Sequence, residues 1–260
     1  MLIPRLLGVL AVLVFALTYL PIALVVLTSF SDQALMRLPI ERYDVKWYQA
    51  LIDNTKTLAA LWTSLEVGSV AACVATVLGL SSALAVLRYN FPGRQAFLAL
   101  MTLPMLAPGI VLGVSMLLFA RSVGFQTGFV ALILGHTLLA LPYCTFIIIS
   151  SLSRFDRSIE DAARGLGARE WQVLGRVTIP SIMPGIIGAL LFGFTISIGE
   201  FVVSFFLTTA GTTTLPIRIY SIVKVGITPE INAVSTLILA ATAVLTIAAI
   251  QLTWSSNKRG

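Results

Sequence analysis

Long apolar runs alternate with short polar stretches along most of the chain. Six such runs stand out, over residues 6–30, 63–87, 95–120, 129–151, 182–208 and 231–254. Each is longer than the roughly 20 apolar residues that a helix needs to cross the hydrocarbon core of a bilayer. The pattern therefore predicts an all-α, polytopic membrane protein with six transmembrane helices.

Two of these runs carry features that bear on packing. The second is rich in Gly, Ala and Ser, which let helices approach closely in lipid, so we expect it inside a bundle. The third is interrupted at Pro104 and Pro108. Such breaks survive in a membrane only where neighbouring groups or water satisfy the freed backbone. The third run is thus predicted to bend, either along a solute pathway or as a purely structural kink.

The composition excludes an ordinary soluble protein. Hydrophobic residues make up 58% of the 260-residue chain and charged residues only 11%, whereas soluble domains contain about 25% charged residues. The net charge of +6 would suggest a nucleic-acid partner in a soluble protein. Here the arginines cluster at the ends of apolar runs, which indicates contact with lipid headgroups instead. The two cysteines show neither metal-ligand spacing nor a disulfide framework.

Six spans place both termini on the same side of the membrane. That side carries ten Lys and Arg residues and the other side carries seven. Because positively charged loops stay in the cytoplasm, we expect both termini there, together with the loop 152–180. We divide the chain into a first helix with an extracytoplasmic loop (1–61), a core of five helices (62–254) and a cytoplasmic tail (255–260). Residues 47–51 form either a short amphipathic helix at the membrane surface or a plain loop.

The most informative polar segment runs from Asp161 to Pro180. Apolar residues at helical spacing predict two short helices within it. Gly165 and Gly167 weaken the first helix and permit a sharp turn between the two. Pro180 is predicted to end the second helix.

This segment resembles the cytoplasmic loop of the permease subunits of bacterial ABC importers. That loop has the form Glu-Ala-Ala, three residues, Gly, nine residues, Ile, one residue, Leu-Pro. The chain carries Asp161-Ala162-Ala163, Gly167 and Val177-Thr178-Ile179-Pro180 at the same spacing, with conservative changes at three positions. A motif of this length and fixed spacing is a strong signal. The resemblance implies the type I ABC importer permease fold and a place in the bacterial inner membrane.

In that family the loop forms a coupling helix that docks on a cytoplasmic ATPase. The resemblance implies several partners: two copies of the ATPase subunit, a second homologous permease, an extracytoplasmic solute-binding protein and membrane lipid. No nucleic-acid partner is expected. The residues assigned to ATPase coupling are Asp161, Ala162, Ala163, Arg164, Leu166, Gly167, Trp171, Leu174 and Pro180.

The chain lacks the residue patterns of an enzyme. It contains no Gly-x4-Gly-Lys-Ser/Thr string, no metal-ligand cluster and no nucleophile beside a base. No catalytic residue, metal or cofactor is therefore expected, and ATP hydrolysis is assigned to a separate subunit. The alternative is an autonomous secondary transporter or channel. Such transporters usually show internal repeats and several intramembrane charges, and we detect no repeat here.

The end of the chain resembles the spermidine/putrescine branch of these permeases, over residues 201–206, 212–221 and 228–233. In that branch an acidic pair commonly precedes the Val-Val-Ser stretch, and here the pair is Gly199-Glu200. The resemblance implies a small organic cation as solute, with a polyamine first.

Glu200 lies well inside the fifth run and is assigned to the solute pathway together with Ser197 and Ser204. A carboxylate facing lipid at that depth would cost about 2.5–3.5 kcal/mol, so the side chain is expected to face protein or water. The alternative is a buried acid bonded to a neighbouring helix. His136 is either a proton relay or, as we favour, a neutral histidine bonded between helices.

Overall fold

The computed structural model describes residues 2–33, 39–225 and 229–257, with side chains except at residues 2–5, 229, 245, 246 and 248–257. Within these ranges the chain is helical, and its only β-type pairing is an isolated bridge between Ser31 and Tyr43. The helices are α1 (Leu2–Thr28), α2 (Lys46–Asp53), α3 (Thr55–Arg88), α4 (Arg94–Leu106), α5 (Gly109–Ser122), α6 (Phe129–Ser153), α7 (Ser158–Gly165), α8 (Glu170–Val173), α9 (Ile179–Ile198), α10 (Val202–Leu207), α11 (Leu215–Val225) and α12 (Pro229–Asn257). A π-helical stretch, Leu174–Thr178, joins α8 to α9.

The chain divides into two compact units, the first formed by Met1–Ala59 with Arg218–Ala243. In this unit α2 shows that residues 47–51, for which a short helix and a plain loop were both open, are helical. The indole of Trp47 donates to the Ser31 carbonyl at 2.7 Å. The amide of Asn232, on α12, donates to the Thr28 hydroxyl at the end of α1, at 3.0 Å. Polar bonds therefore join the ends of the helices within this unit.

The second unit, Ala60–Ile217 with Val244–Gly260, contains the packed centre of α3, α6 and α9. Small side chains on α3 are fully buried, which confirms the prediction that this run packs inside a bundle. At Gly79 the approach is close enough that an added Cβ would lie 3.0 Å from the backbone nitrogen of Thr145 on α6. The core cluster is Ala75, Ala83, Ala140, Cys144, Ile148, Leu152, Ile182 and Ala189.

The predicted bend of the third run is present. Helices α4 and α5 meet at an angle of 105°. Ala107, the residue before Pro108, is extended, with φ −75° and ψ 136°. A proline disfavours the helical conformation at the residue before it, so the two helices separate at this point.

By length and apolar composition, four helices in the described part of the chain could span a membrane, and the bent pair α4–α5 makes five if it is one span. The four are Leu6–Thr28, Thr55–Arg88, Phe129–Ser153 and Glu170–Ile198. The sixth predicted span, residues 231–254, falls in α12, where the apolar stretch within the described side chains is Glu230–Val244. Beyond it the side chains of residues 245, 246 and 248–257 are not described, so the count of six stays a prediction.

Two predicted boundaries near the fifth span are wrong. Pro180 does not end a helix, because Glu170–Ile198 forms one continuous helical element in which Pro180 is exposed. The π-helical stretch immediately before it changes the hydrogen-bond spacing where proline lacks an N–H, which lets the helix continue. The fifth span also ends at Ile198 instead of residue 208, and Val202–Leu207 forms the separate helix α10.

Candidate functional site

The loop between α6 and α9 contains a helix stop that fixes the angle of its two short helices. Gly167 has φ +88°, in the left-handed region. Its N–H donates to the Arg164 carbonyl at 2.9 Å, and the next N–H, of Ala168, donates to the Ala163 carbonyl at 3.1 Å. This pair of bonds is a Schellman motif with glycine at the left-handed position. Gly165 has no positive φ and lies in α7, so only one of the two predicted turn glycines makes the turn.

Most of the predicted coupling residues lie on the surface of this loop. The Leu166 side chain is 91% exposed and Trp171 is 63% exposed. Leu174 and Pro180 are exposed as well, and Ala163 is half-buried. Exposed large apolar side chains beside charged ones are typical of a protein contact. Their role in ATPase coupling stays a prediction.

Arg164 joins the two short helices of the loop. Its guanidinium donates to both carboxylate oxygens of Glu170, at 2.8 and 3.2 Å, and to Asp161 at 2.7 Å. Hydrogen bonding to Glu170 raises the pKa of Arg164. All three side chains are solvent-exposed, so these pairs contribute little to stability. Arg164, one of the residues assigned to ATPase coupling, thus pairs with carboxylates of its own loop.

Glu160 is the residue of this loop that sequence reasoning missed. Its side chain is 1% exposed and accepts from both terminal nitrogens of Arg88, at the end of α3, and from the Thr178 hydroxyl. Hydrogen bonding from Arg88 holds the pKa of the Glu160 carboxyl below its ordinary value, although burial opposes this. The ion pair therefore contributes stability at neutral pH that is lost as the pH falls below the usual glutamate range.

The burial of Glu160 was hard to predict from the sequence because its apolar neighbours define a different face of the helix. Ile159 and Leu166 lie on the apolar face whose helical spacing predicts this helix. Both side chains are exposed, whereas the Glu160 side of α7 packs inward. The available signal was charge. Glu160 stands four residues before Arg164, and Arg88 lies in a segment predicted to be on the same side of the membrane.

A second polar cluster lies at the end of the fifth span. The ring of His136, on α6, is 2% exposed and lies 2.6 Å from the Ser197 hydroxyl and 2.8 Å from the Ser204 hydroxyl. The Ser204 hydroxyl donates its proton to the Glu200 carbonyl at 3.0 Å. It must therefore accept from His136 Nε2–H, and a neutral ring accepts from Ser197 at Nδ1. The favoured interpretation of His136, a histidine bonded between helices, matches this arrangement.

Glu200 lies in the break between α9 and α10, not inside a continuous helix as predicted. Its carboxylate oxygen accepts from the N–H of Val203 at 2.8 Å, in the first turn of α10. The side chain is half-buried, and among the described residues no ion pair involves it. Ser197 and Ser204, also assigned to the pathway, are buried against His136.

A further carboxylate within the predicted spans, Glu66 on α3, was not among the predicted site residues, and its side chain is exposed.

Helix α10, which follows the break, packs tightly against α5 and α6. An added Cβ at Gly135 would lie 2.7 Å from the Val203 side chain, and one at Gly113 would lie 2.5 Å from Phe206. α10 therefore contacts the glycines of α6 and α5 directly.

Within the described residues, no group of His, Cys, Asp and Glu is arranged to hold a metal ion.

Comparison with known proteins gives consistent matches. Residues 75–258 match the family described as binding-protein-dependent transport system inner membrane component. The chain is 35% identical to the spermidine/putrescine transport system permease protein PotC of Haemophilus influenzae, over 94% of this chain and 95% of that protein. It is 34% identical to the putrescine transport system permease protein PotI of Escherichia coli, over 91% and 86%. A bacterial ABC transporter for alginate import has a similar fold, with a TM-score of 0.71 at 14% identity over 99% of this chain and 95% of that one.

Proposed function

The chain belongs to the family of binding-protein-dependent transport system inner membrane components, with the type I ABC importer permease fold, and we propose that it imports a polyamine or a similar small organic cation. In this proposal it forms the solute pathway together with a second, homologous permease subunit. An extracytoplasmic binding protein delivers the solute, and two cytoplasmic ATPase subunits drive the cycle.

The observation that carries the choice of solute is the likeness to the spermidine/putrescine permease, which extends over almost the full length of both chains. Two relatives named for polyamine transport share about the same identity with this chain. The relation therefore does not rest on the coupling motif alone, which importers of many solutes share.

The chemistry of the break between α9 and α10 supports a cation. The Glu200 carboxylate is half-buried near the end of an apolar span and forms no ion pair within the described residues. A carboxylate in such surroundings attracts a passing ammonium group more strongly than it would in water. Ser197, Ser204 and His136 support the backbone of this break by hydrogen bonds, so in this proposal they position Glu200 and do not contact the solute themselves.

ATP hydrolysis is assigned to the partner subunits. The sequence lacks a P-loop string. The loop over residues 161–180 offers exposed Leu166, Trp171 and Leu174, which suit docking into a groove of an ATPase. We propose that this loop and both termini lie in the cytoplasm of a bacterial inner membrane, as the distribution of Lys and Arg indicates.

Uptake measurements test the solute assignment. The chain would be expressed with its partner subunits and binding protein in cells that lack polyamine uptake, and radiolabelled spermidine and putrescine would be supplied in turn. We expect ATP-dependent accumulation of at least one of them, competed by unlabelled polyamine and not by choline, a cation without primary amines. An assembled complex that hydrolyses ATP but takes up neither polyamine nor choline would contradict the proposal.

A further inference from the structure

The buried Glu160 carboxylate joins three parts of the fold. It accepts from Arg88 at the end of α3, lies on α7 itself, and accepts from Thr178 at the end of the π-helical stretch. We propose that this clamp of Arg88, Glu160 and Thr178 makes α3, α7 and the start of α9 move as one body. The coupling loop then transmits motion to α3 in addition to the spans that it joins in sequence. This rests on the proposed role of the loop in coupling.

A second hydrogen bond also connects the start of α7 to the end of α3. Besides the bond between Arg88 and Glu160, the Arg157 guanidinium donates to the Leu87 carbonyl at 2.6 Å. The last carbonyls of a helix have no partner within the helix, so a basic side chain there satisfies a backbone group. Two arginines, one from each element, thus fasten the end of α3 to the start of α7.

The connection to α9 passes through the π-helical stretch. The Thr178 hydroxyl bonds to Glu160 and lies 3.4 Å from the Val173 carbonyl, five residues earlier. Val173 and Thr178 are 2% and 1% exposed, so this side of the wide turn is packed against the clamp. π-helical turns inside α-helices occur frequently at functional sites. Here the π-helical turn, Leu174–Thr178, lies at the junction between the loop and the fifth span.

A requirement for stability alone explains this arrangement poorly. A buried ion pair contributes little more than well-packed apolar side chains of similar volume would, because both charges lose their hydration. What such a pair does provide is a fixed geometry, since a bidentate guanidinium–carboxylate contact fixes both distance and orientation. Fixed geometry is what a connection between a docking helix and two spans requires.

The test compares Glu160→Gln with Asp156→Asn in the assembled transporter. Gln keeps the size of Glu160 but loses its charge. Asp156 is an exposed carboxylate four residues earlier, and Asn retains an oxygen that can accept from the Ser158 N–H as Asp156 does. The first measurement is the amount of spermidine imported per ATP hydrolysed. We expect Glu160→Gln to lower this ratio at least about tenfold, which corresponds to about 1.4 kcal/mol, and Asp156→Asn to leave it unchanged.

The second measurement needs no solute, so it separates a failed clamp from a wrongly assigned solute. Spin labels at Tyr89→Cys and Ser158→Cys, both exposed positions, report the distance between the end of α3 and the start of α7, with the exposed Cys73 replaced by Ser. With the clamp intact we expect one narrow distance, the same without nucleotide and with ATP and vanadate. In Glu160→Gln we expect the distance to broaden or to change with nucleotide.

A Glu160→Gln complex that keeps both the wild-type ratio and the narrow, constant distance would overturn the proposal. If that variant does not assemble, Arg88→Lys takes its place, because lysine keeps the charge and loses the bidentate contact. The same two results then decide.

Discussion

At the scale of single residues, Glu200 combines two properties that can be separated. Its carboxylate is a charge at the end of an apolar span, and it is also a hydrogen-bond acceptor for the Val203 N–H at the start of α10. A carboxylate near the N-terminus of a helix interacts favourably with the backbone N–H groups there. A purely structural cap and a pathway charge therefore predict different outcomes for different substitutions.

Glu200→Gln keeps an oxygen for the Val203 N–H and removes only the charge, whereas Glu200→Ala removes both. If the carboxylate acts on a cationic solute, both variants should lower the transport rate at least about tenfold, which corresponds to about 1.4 kcal/mol of lost attraction. Uptake of radiolabelled spermidine, normalised to assembled complex, measures this. Normal uptake by Glu200→Gln with impaired Glu200→Ala would show that the residue is only a helix cap.

At the scale of elements, the turn of the coupling loop depends on backbone conformation and not on space. An added Cβ at Gly167 would meet nothing within 4 Å, yet its φ of +88° is rarely adopted by residues with a side chain. Gly165 has equal room and no positive φ. The pair thus offers a variant and a matched control two residues apart in one loop.

Gly167→Val should disturb the Schellman turn, because a β-branched residue is strongly disfavoured in the left-handed region. The expected result is loss of ATPase co-purification or at least about a tenfold fall in transport, equivalent to about 1.4 kcal/mol. Gly165→Ala should leave both unchanged, since alanine is the better helix former in α7. Co-purification with the ATPase and uptake in the same preparations provide the measurement. Equal behaviour of the two variants would contradict a conformational role of Gly167.

The elements also show what the sequence could and could not predict. Hydrophobic runs located most candidate spans, the prolines located the bend at Pro108, and the glycine of the spaced motif located the turn at Gly167. The break after Ile198 could not be predicted from hydropathy, because α10 is itself an apolar helix, and its packing against Gly113 and Gly135 depends on residues far away in the sequence. Glu160 was missed for a related reason, since its burial depends on Arg88, a partner 72 residues away.

At the scale of the whole molecule, the distribution of charge predicts an orientation in the membrane. With six spans, the side that holds the termini carries ten of the seventeen Lys and Arg residues, including the five arginines of the loop 152–180. The opposite side carries a mixed loop at 31–61, with four acids among its basic residues. Loops rich in Lys and Arg remain on the cytoplasmic side during insertion. The coupling loop would then face the compartment that contains ATP.

Cysteine labelling in intact cells tests this orientation at positions that the structure shows to be exposed. Glu41→Cys and Gly211→Cys should react with a membrane-impermeant maleimide from outside, and a Cβ at Gly211 would meet nothing within 4 Å. Asn90→Cys and Arg169→Cys, in two loops assigned to the cytoplasm, should react only after the cells are opened. Exposed Cys73 is replaced by Ser in every variant, and buried Cys144 stays. Because the four positions lie in four different polar segments, each result fixes the side of one segment independently. Labelling of Arg169→Cys in intact cells would place the coupling loop outside and would remove the basis for docking to a cytoplasmic ATPase.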